Sequence, residues 1–325
     1  MKMKSKILKI FQEANGEFIS GEALSEELNC SRTAIWKHIE ELRQAGYEFE
    51  AVRRSGYRLV ASPDMPFDRE VMNGLKTQSI GQTVHFFPVL DSTQITAHSI
   101  AKEGAVDGTT VIADQQVGGK GRMGRPWHSP SGSGIWMSII LRPELELHRC
   151  PQMTLLTAVA VVQAIRDTTG LEAQIKWPND ILLNGKKICG ILTELNAEWG
   201  NINYLIIGIG MNVNVPSFPQ ELQDIATSLY IEAGQEVKRV SLIQRILEHL
   251  EILYKLYIQD GFSAIKPLWE SYANTIGRRV LIRGANQTME GLALGIDDEG
   301  VLLVQKDDGQ IEKVYSADIE LGAKR

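Results

Sequence analysis

The sequence predicts an α+β protein built from several domains, and three observations support that prediction. Its 325 residues exceed what one hydrophobic core usually organises, which indicates two or three domains. A hydrophobic content of 43% and a charged content of 23% are those of an ordinary globular protein. The secondary-structure signals fall into three segments: helices with a hairpin, a large mixed α/β region, and a run of short strands. We expect these segments to form domains at residues 1–62, 67–272 and 275–325.

The first segment has the pattern of helices followed by a two-stranded hairpin. Ser20 is expected to cap a short helix, and Ser31 a longer one that stops at Gly46. The stretch EFEAVRRSGYRLV then predicts two strands around a basic turn. This order predicts a winged helix-turn-helix, with a small helical cap and a solvated basic hairpin as the alternative. We expect DNA to contact Ser31, Arg32, Thr33, Trp36, Lys37, Arg53 and Arg54.

The linker ASPDMP, residues 61–66, separates this segment from the mixed α/β region. Strands are expected there at Val84–Leu90, Thr110–Gln115, Gly134–Leu141, Ile175–Trp177, Ile181–Leu183, Gly190–Glu194 and Tyr204–Gly208. Helices are expected at Ala97–Glu103, Met153–Thr168 and Leu242–Tyr257, the last capped by Ser241 and ended by Gly261. The tail predicts a small β-barrel because turn sequences, including Gly284-Ala285-Asn286, separate its short strands. Those strands are expected at Val280–Arg283, Glu290–Ile296, Val301–Gln305 and Ile311–Tyr315.

Charge and cysteine content narrow the functional classes. The net charge of −6 argues against a globally basic nucleic-acid coat protein but allows a basic patch on one small domain. Cys30, Cys150 and Cys189 show no metal or disulfide spacing, which fits a reducing, cytoplasmic location. The basic start of the chain has helical apolar spacing, so we expect a first helix and no signal peptide. The longest apolar run, LLTAVAVVQAI, is shorter than the roughly 20 residues a membrane span needs.

The stretch GGKGRMGRPW, residues 118–127, combines glycines with cations and one aromatic residue. Gly119, Gly121 and Gly124 match the dinucleotide fingerprint, but that fingerprint requires a helix to begin at the loop. The sequence RPWHSPSGSG follows and forbids such a helix, and no Gly-Lys-Ser/Thr ending makes it a Walker A loop. A loop that orders over a nucleotide remains, with its cations on phosphates and Trp127 against a base. A flexible surface loop is the alternative.

Five further motifs accompany the glycine-rich loop in a characteristic order: DSTQ (91–94), DQQ (114–116), KWPND (176–180), GKKICGIL (185–192) and GIGMNVN (208–214). With them, essentially the whole chain resembles the biotin protein ligases, and most closely the bacterial form that also represses the biotin operon. The resemblance implies a central ligase domain of the class II synthetase type and an SH3-like barrel behind it. It also implies a reaction in which biotin and ATP, with Mg²⁺, form biotinyl-5′-AMP. A lysine of biotin carboxyl carrier protein or of another biotin-dependent carboxylase domain then takes the biotinyl group.

The resemblance assigns roles to individual residues. Biotin would be bound by Ser92, Thr93, Gln94, Gln116, Lys120, Gly121, Arg122, Lys187, Gly208 and Gly210. ATP and the adenylate would be bound by Lys120, Arg122, Arg125, Trp127, Lys176, Asn179 and Asn212. Catalysis would use Lys187, Arg122 and Asp180, with Asp180 open between orienting or deprotonating the incoming lysine and helping to place Mg²⁺. Gln94 and Lys120 depart from the family pattern, which usually has asparagine and arginine there.

Structural alternatives stand beside these roles. DSTQ is also a helix cap, GIGMN is also a strand end with glycine kinks, and Lys187 is also a hairpin lysine after the Asn184-Gly185 turn. A biotin-sensing repressor without chemistry and a lipoate-type ligase are the rival functions. The resemblance further implies operator DNA as a partner and a homodimer favoured by biotinyl-5′-AMP, which would order the glycine-rich loop.

Overall fold

The computed structural model describes residues 3–14, 16–44, 46–284 and 288–324. The chain divides into two compact units, Met1–Met65 and Pro66–Arg325. Across the described ranges, none of the helices combines the length and hydropathy that a membrane crossing requires.

The first unit is the predicted winged helix-turn-helix. Its helices are α1 (Met3–Glu13), α2 (Gly21–Glu27) and α3 (Arg32–Gln44), and its strands are β1 (Glu48–Val52) and β2 (Gly56–Ala61). Both predicted caps are confirmed, because the Ser20 hydroxyl accepts from the N–H of Ala23 at 3.0 Å and the Ser31 hydroxyl from that of Ala34 at 3.2 Å. The buried core consists of Ile7, Leu8, Phe11, Leu24, Ile35, Ile39, Leu42, Tyr47 and Phe49.

The second unit is built on a mixed sheet with strand order β3-β4-β5-β9-β8-β7-β6. These strands are β3 (Val84–Leu90), β4 (Thr110–Gln116), β5 (Gly134–Leu141), β6 (Gln174–Lys176), β7 (Asp180–Leu183), β8 (Lys186–Glu198) and β9 (Asn201–Asn212). Strands β3 and β4 are parallel, and the other pairs are antiparallel. The predicted strands are confirmed, but β8 and β9 run longer than expected. Their outer halves form a polar hairpin whose residues lack the hydrophobic alternation on which the prediction relied.

Helices cover both faces of this sheet. They are α4 (Asp68–Met72), α5 (Thr93–Lys102), α6 (Cys150–Thr169), α7 (Leu229–Ala233), α8 (Arg239–Asp260) and α9 (Lys266–Tyr272). Helices α6 and α8 belong to the main core, whereas α5 closes a smaller core on the opposite face with Ile140 and Ile206. The predicted cap of α8 at Ser241 is wrong: the helix begins at Arg239, whose guanidinium pairs with buried Asp114 at 2.8 Å and so draws the first turn inward.

The C-terminal part of this unit is a five-stranded antiparallel sheet of order β13-β12-β11-β10-β14. Its strands are β10 (Arg278–Arg283), β11 (Thr288–Ile296), β12 (Leu302–Gln305), β13 (Ile311–Val314) and β14 (Asp318–Lys324). The predicted β-domain is confirmed, and β14 is a strand that the sequence analysis did not identify. The expected turn Gly284-Ala285-Asn286 lies outside the described residues except for Gly284.

Candidate active site

Three glycines lie together on the sheet face that α5 partly covers. Gly208 on β9 is paired with Ser138 on β5 and Leu192 on β8, and Gly210 is paired with Gly190. Residues that face each other across antiparallel strands point to the same side of the sheet. The two glycine positions on β9 are about 7 Å apart along the strand. This arrangement makes a strip of sheet without side chains beside the first turn of α5, which we call the slot.

The glycine-rich loop, residues 118–127, folds back on itself as a small hairpin. The N–H of Gly121 donates to the carbonyl of Arg125 at 2.8 Å, and the N–H of Trp127 donates to that of Gly119 at 2.8 Å. The segment Arg122–Gly124 forms only a single 3₁₀ turn. The prediction that no helix begins at this loop is therefore confirmed, and with it the rejection of a dinucleotide fingerprint.

Trp127, the last residue of the loop, covers the glycines of the slot. A Cβ atom on Gly210 would lie 2.6 Å from Nε1 of Trp127, and one on Gly190 would lie 3.2 Å from its ring. Any side chain at Gly210 would therefore displace the indole. The indole N–H is buried and has no hydrogen-bond partner in the described part of the chain. The structure brings the loop and the GIGMN motif together here.

Lys187 lies at the same end of the slot as Trp127. Its Nζ atom is 5.1 Å from the centre of the Trp127 ring, a cation–π distance, and 2.6 Å from Oδ1 of Asp180. The turn that precedes it has positive φ at Asn184 and Gly185, as the sequence predicts for an Asn-Gly hairpin. Because the side chains of Lys187 and Asp180 are 33% and 20% exposed, this ion pair is open to an entering ligand.

A chain of neutral hydrogen-bonding groups forms the other end of the slot. Oε1 of Gln116 accepts from the backbone N–H and the hydroxyl of Thr93 at 2.8 and 3.1 Å. The Ser138 hydroxyl lies 2.8 Å from both Oγ1 of Thr93 and Oε1 of Gln94. Ser92 is buried at the start of α5, and its hydroxyl makes no capping hydrogen bond. The polar groups of DSTQ and DQQ therefore meet at one place.

Gln94 fills the space above Gly208, where a Cβ atom would lie 2.8 Å from its Oε1. Its Nε2 group donates to Oε2 of Glu194 at 3.0 Å and approaches the carbonyl of Leu192 at 3.4 Å. Both ends of the Gln94 amide are thus occupied by the protein. This geometry gives Gln94 a role in shaping the slot, and within the described residues it occupies both N–H groups of the amide and one of the two lone pairs of Oε1.

Arg122 and Arg125 reach a different part of the molecule. Arg122 donates to Oδ1 of Asn179 and to the hydroxyl of Ser316, both at 2.9 Å, and Arg125 pairs with Asp318 on β14. With Asn179 and Ser316, Arg122 lines a cavity of about 490 Å³ between α6, β8 and the C-terminal sheet. Arg122 contacts Asn179, whereas Lys187 contacts the next residue, Asp180. The structure therefore does not bring Arg122 over the slot.

The remaining predicted ligand residues lie at the margins. Lys120 is exposed and Gly121 is partly exposed in the loop, where Lys120 forms a backbone bridge with Pro126. Lys176 is the β6 partner of Asp180. Asn212 is buried, and its amide donates to the carbonyl of Thr227 at 3.1 Å, which ties the end of β9 to the next loop.

Sequence reasoning missed several groups that shape the site. Ser138 is the one polar residue of the buried strand GIWMSIIL, a signal that could have identified it. Asp114 accepts from Arg239 at 2.8 Å and from the N–H of Gly132 at 3.0 Å, so it fixes the segment between the loop and β5. Glu194 and Asp318 carry no sequence signal, because their partners are distant in the chain.

Cys189, the cysteine next to the slot, offers no nucleophile. Burial raises the pKa of the Cys189 thiol well above its ordinary range, although Lys187 is close by and lowers it in part. Since the thiolate is the reactive form, Cys189 is inert.

The candidate DNA surface lies on the first unit and has the predicted composition. Seven residues of α3, its cap and the β1–β2 turn are exposed: Ser31, Arg32, Thr33, Trp36, Lys37, Arg53 and Arg54. Trp36 exposes 54% of its surface, which is unusual for a residue of this size. Arg58 lies on β2, beyond this turn, and pairs with Glu50.

Comparison with known proteins agrees with this architecture. Residues 86–212 match the model of the biotin/lipoate A/B protein ligase family. Residues 4–58 match a helix-turn-helix (HTH) domain, and residues 275–322 match the biotin protein ligase C-terminal domain. The match to the ligase family spans all the strands that form the slot.

Individual relatives extend over nearly the whole chain. The bifunctional ligase/repressor BirA of Bacillus subtilis (strain 168) is 54% identical, over 98% of this chain and 99% of its own. The Escherichia coli (strain K12) protein with the same description is 31% identical, over 95% and 94%. A biotin protein ligase from Aquifex aeolicus, solved in complex with biotin and ATP, matches with a TM-score of 0.66 at 30% identity, over 74% of this chain and 99% of its own. The chain therefore belongs to the biotin/lipoate A/B protein ligase family and is similar to its bifunctional ligase/repressors.

Proposed function

We propose that this protein is a biotin–carrier protein ligase that also acts as a biotin-dependent transcriptional repressor. It joins biotin to ATP as biotinyl-5′-AMP and transfers the biotinyl group to a lysine of a carrier protein such as biotin carboxyl carrier protein. The observation that carries this proposal is the slot, with a cation at one end and a neutral hydrogen-bonding chain at the other. The similarity of the chain to ligase/repressors over nearly its whole length supports the double role.

The two ends of the slot suit the two ends of biotin. A ureido ring carries one acceptor and two donors, and the groups of Ser92, Thr93 and Gln116 offer neutral hydrogen bonds to it. An apolar chain would lie along the glycines, where Trp127 offers a face. The carboxylate would then reach Lys187. We infer that Trp127 adjusts when biotin enters, because the indole occupies the space above Gly210 in the free protein.

Lys187 is the proposed main electrophilic group of the adenylation step. A carboxylate that attacks an α-phosphate brings two anions together, so a cation between them lowers the barrier. Asp180 holds Nζ of Lys187 at 2.6 Å until the substrates arrive. Arg122 and Lys120 are proposed to leave their free-state positions and bind the adenylate phosphate, which shields the mixed anhydride from water. Arg125, Lys176, Asn179 and Asn212 are proposed as secondary groups around the nucleotide.

Mg²⁺ is proposed to enter with ATP, as a companion of the triphosphate. The residues present do not form a resident Mg²⁺ site. Within the described ranges, no group of three His, Cys, Asp or Glu side chains could hold a metal. Asp180, the carboxylate beside Lys187, is already engaged by that lysine.

The repressor function is proposed to use the exposed face of α3 and the β1–β2 turn. Biotinyl-5′-AMP would order the glycine-rich loop and favour a homodimer, whose two winged helices fit two half-sites of an operator. A gel shift with operator DNA tests this coupling, and equal affinity with and without biotin plus ATP would contradict it. We propose a cytoplasmic location, supported by three free thiols, and domain boundaries at residues 1–62, 67–272 and 275–325.

The exchange of labelled pyrophosphate into ATP tests the enzymatic function. We expect exchange that depends on biotin and is not supported by lipoate. Exchange driven by lipoate would identify a lipoate-type ligase. Biotin binding without exchange would identify a sensor that lacks the chemistry, so the two rival functions give different results.

A further inference from the structure

We propose that Glu194 is a positioning residue that fixes the donor and acceptor directions of the hydrogen bonds in the slot. This inference rests on the proposed function, because it concerns the end of the slot that would receive the ureido ring of biotin. Glu194 lies on β8 two residues beyond Leu192, which is the β8 partner of Gly208. It acts through Gln94 and does not itself line the glycines.

The argument begins with the carboxylate, which can only accept hydrogen bonds. Oε2 of Glu194 lies 3.0 Å from Nε2 of Gln94, so the NH₂ end of the Gln94 amide must face Glu194. Oε1 of Gln94 then faces Ser138, whose hydroxyl lies 2.8 Å away and must donate to it. The Glu194 carboxylate therefore determines the orientation of the buried Gln94 amide and of the buried Ser138 hydroxyl.

The same logic continues to Thr93. The single hydroxyl proton of Ser138 is committed to Gln94, so it cannot be donated to Thr93, although their oxygens are 2.8 Å apart. The Thr93 hydroxyl therefore acts as the donor toward Ser138 or Gln116. Both lone pairs of Thr93 Oγ1 then remain free, and one can accept from a ring N–H that enters the slot.

Glu194 is itself held in place from the outside of the molecule. Nε2 of His98 lies 3.1 Å from the same carboxylate oxygen, and Nδ1 of His98 lies 3.3 Å from the Tyr204 hydroxyl. The His98 and Tyr204 rings pack edge to face with centroids 5.6 Å apart. These contacts keep the carboxylate pointed at Gln94 even though its side chain is 44% exposed.

Without Glu194, the NH₂ end of the Gln94 amide keeps just the long 3.4 Å contact with the Leu192 carbonyl among the described residues, so a rotation by half a turn becomes accessible. The NH₂ group would then donate to Ser138, Ser138 would donate to Thr93, and one of the two lone pairs of Thr93 Oγ1 would be occupied. The slot would keep its shape but would offer biotin a weaker acceptor. The expected signature is weaker biotin binding with little change in the rate of the chemical step, because Lys187 lies at the other end.

The test compares Glu194→Leu, which cannot accept a hydrogen bond, with Glu194→Gln, which can. Glu198→Leu is the matched control, since Glu198 is exposed on the same strand and has no contact with Gln94. Titration calorimetry gives the biotin Kd, pyrophosphate exchange gives KM and kcat, and thermal melting monitors the fold. We expect Glu194→Leu to raise Kd and KM for biotin about tenfold, which corresponds to roughly 1.4 kcal/mol. Both kcat and Tm should stay near the wild-type values, and Glu194→Gln should restore most of the affinity.

Unchanged biotin affinity in Glu194→Leu would overturn the proposal. A parallel loss of kcat and Tm would also overturn it, because it would indicate a general structural role. An equal loss of biotin affinity in Glu198→Leu would show that the loss of a surface charge explains the effect, and it would likewise refute the proposal. A wild-type protein that binds biotin without exchange would refute the enzymatic function while the Kd comparison still decides the role of Glu194. A wild-type protein that does not bind biotin would defeat both.

Discussion

Replacing Glu251 by glutamine should destabilise the protein at neutral pH and much less at acid pH. The carboxylate accepts from the backbone N–H groups of Gln78, Ser79 and Ile80 at 2.8 to 3.0 Å, and from Lys255 at 2.8 Å. It thereby fastens the segment before β3 to helix α8. Burial alone would raise the pKa of Glu251, but the hydrogen bonds from Lys255 and from these backbone groups lower it from 4.5 to about 2.

The magnitude follows from the linkage between protonation and folding. A pKa lowered from 4.5 to about 2 corresponds to about 3 kcal/mol, and the 6% exposure of the side chain limits solvent screening. Because the folded-state pKa is lowered, this stabilisation is complete above pH 4.5 and is lost as the pH falls toward 2. We expect Glu251→Gln to lower the free energy of unfolding by about 3 kcal/mol at pH 7. The glutamine also places an NH₂ group opposite backbone N–H donors, which cannot accept from it.

Urea denaturation of both proteins between pH 7 and pH 3 measures this difference. Near pH 3, the difference in free energy of unfolding between the two proteins should be less than half of its value at pH 7, because the pKa of Glu251 is about 2 in the folded protein. Glu248→Gln is the matched control, because Glu248 lies on the same helix and accepts from one backbone group, Lys76 N–H at 3.2 Å. A destabilisation by Glu251→Gln that is small, or that does not change with pH, would refute the reasoning.

Three further substitutions test the site and the DNA surface. Lys187→Met should lower the pyrophosphate exchange rate by about 10² to 10³ with unchanged Tm, because it removes the cation at the reacting end; near-normal exchange would contradict its role. Gly210→Val should weaken biotin binding about tenfold or more in calorimetry, since the side chain would displace Trp127; wild-type affinity would argue against the slot. Arg32→Ala should weaken operator binding about tenfold in gel shifts. A parallel loss of exchange activity in Arg32→Ala would contradict the separation of the two functions.

Much of the fold could be predicted from the sequence because local signals agree with the tertiary structure. Ser20 and Ser31 cap their helices, and the Asn184-Gly185 turn closes its hairpin, because each depends on residues a few positions away. The start of α8 was misplaced because it depends on Asp114, more than a hundred residues earlier. Local propensity contains no information about such a contact.

The candidate site likewise contains features that local sequence predicts and features that depend on distant contacts. The sequence motifs predict that Thr93, Gln116 and Lys187 bind the same ligand, and in the structure the three residues lie at one slot. Ser138 could have been identified as the one polar residue of its buried strand, but its partners, and the contribution of Glu194, could not be predicted because they arise from strand register between β5, β9 and β8. A register shift of one residue would turn these side chains to the other face of the sheet, and no local pattern specifies the register.

The positions of Arg122 and Arg125 in the free protein are compatible with their proposed movement onto a nucleotide. Arg125 is 64% exposed in its pair with Asp318, and exposed pairs of this kind contribute about 0 to 1 kcal/mol. Arg122 is held by neutral partners, Asn179 and Ser316, whereas a phosphate would offer charge-assisted hydrogen bonds that are roughly twice as strong. A phosphate therefore competes favourably with the present partners of both cations. Ser316 and Asp318, which belong to the C-terminal part of the unit, therefore hold the two arginines through contacts that the proposed movement can replace.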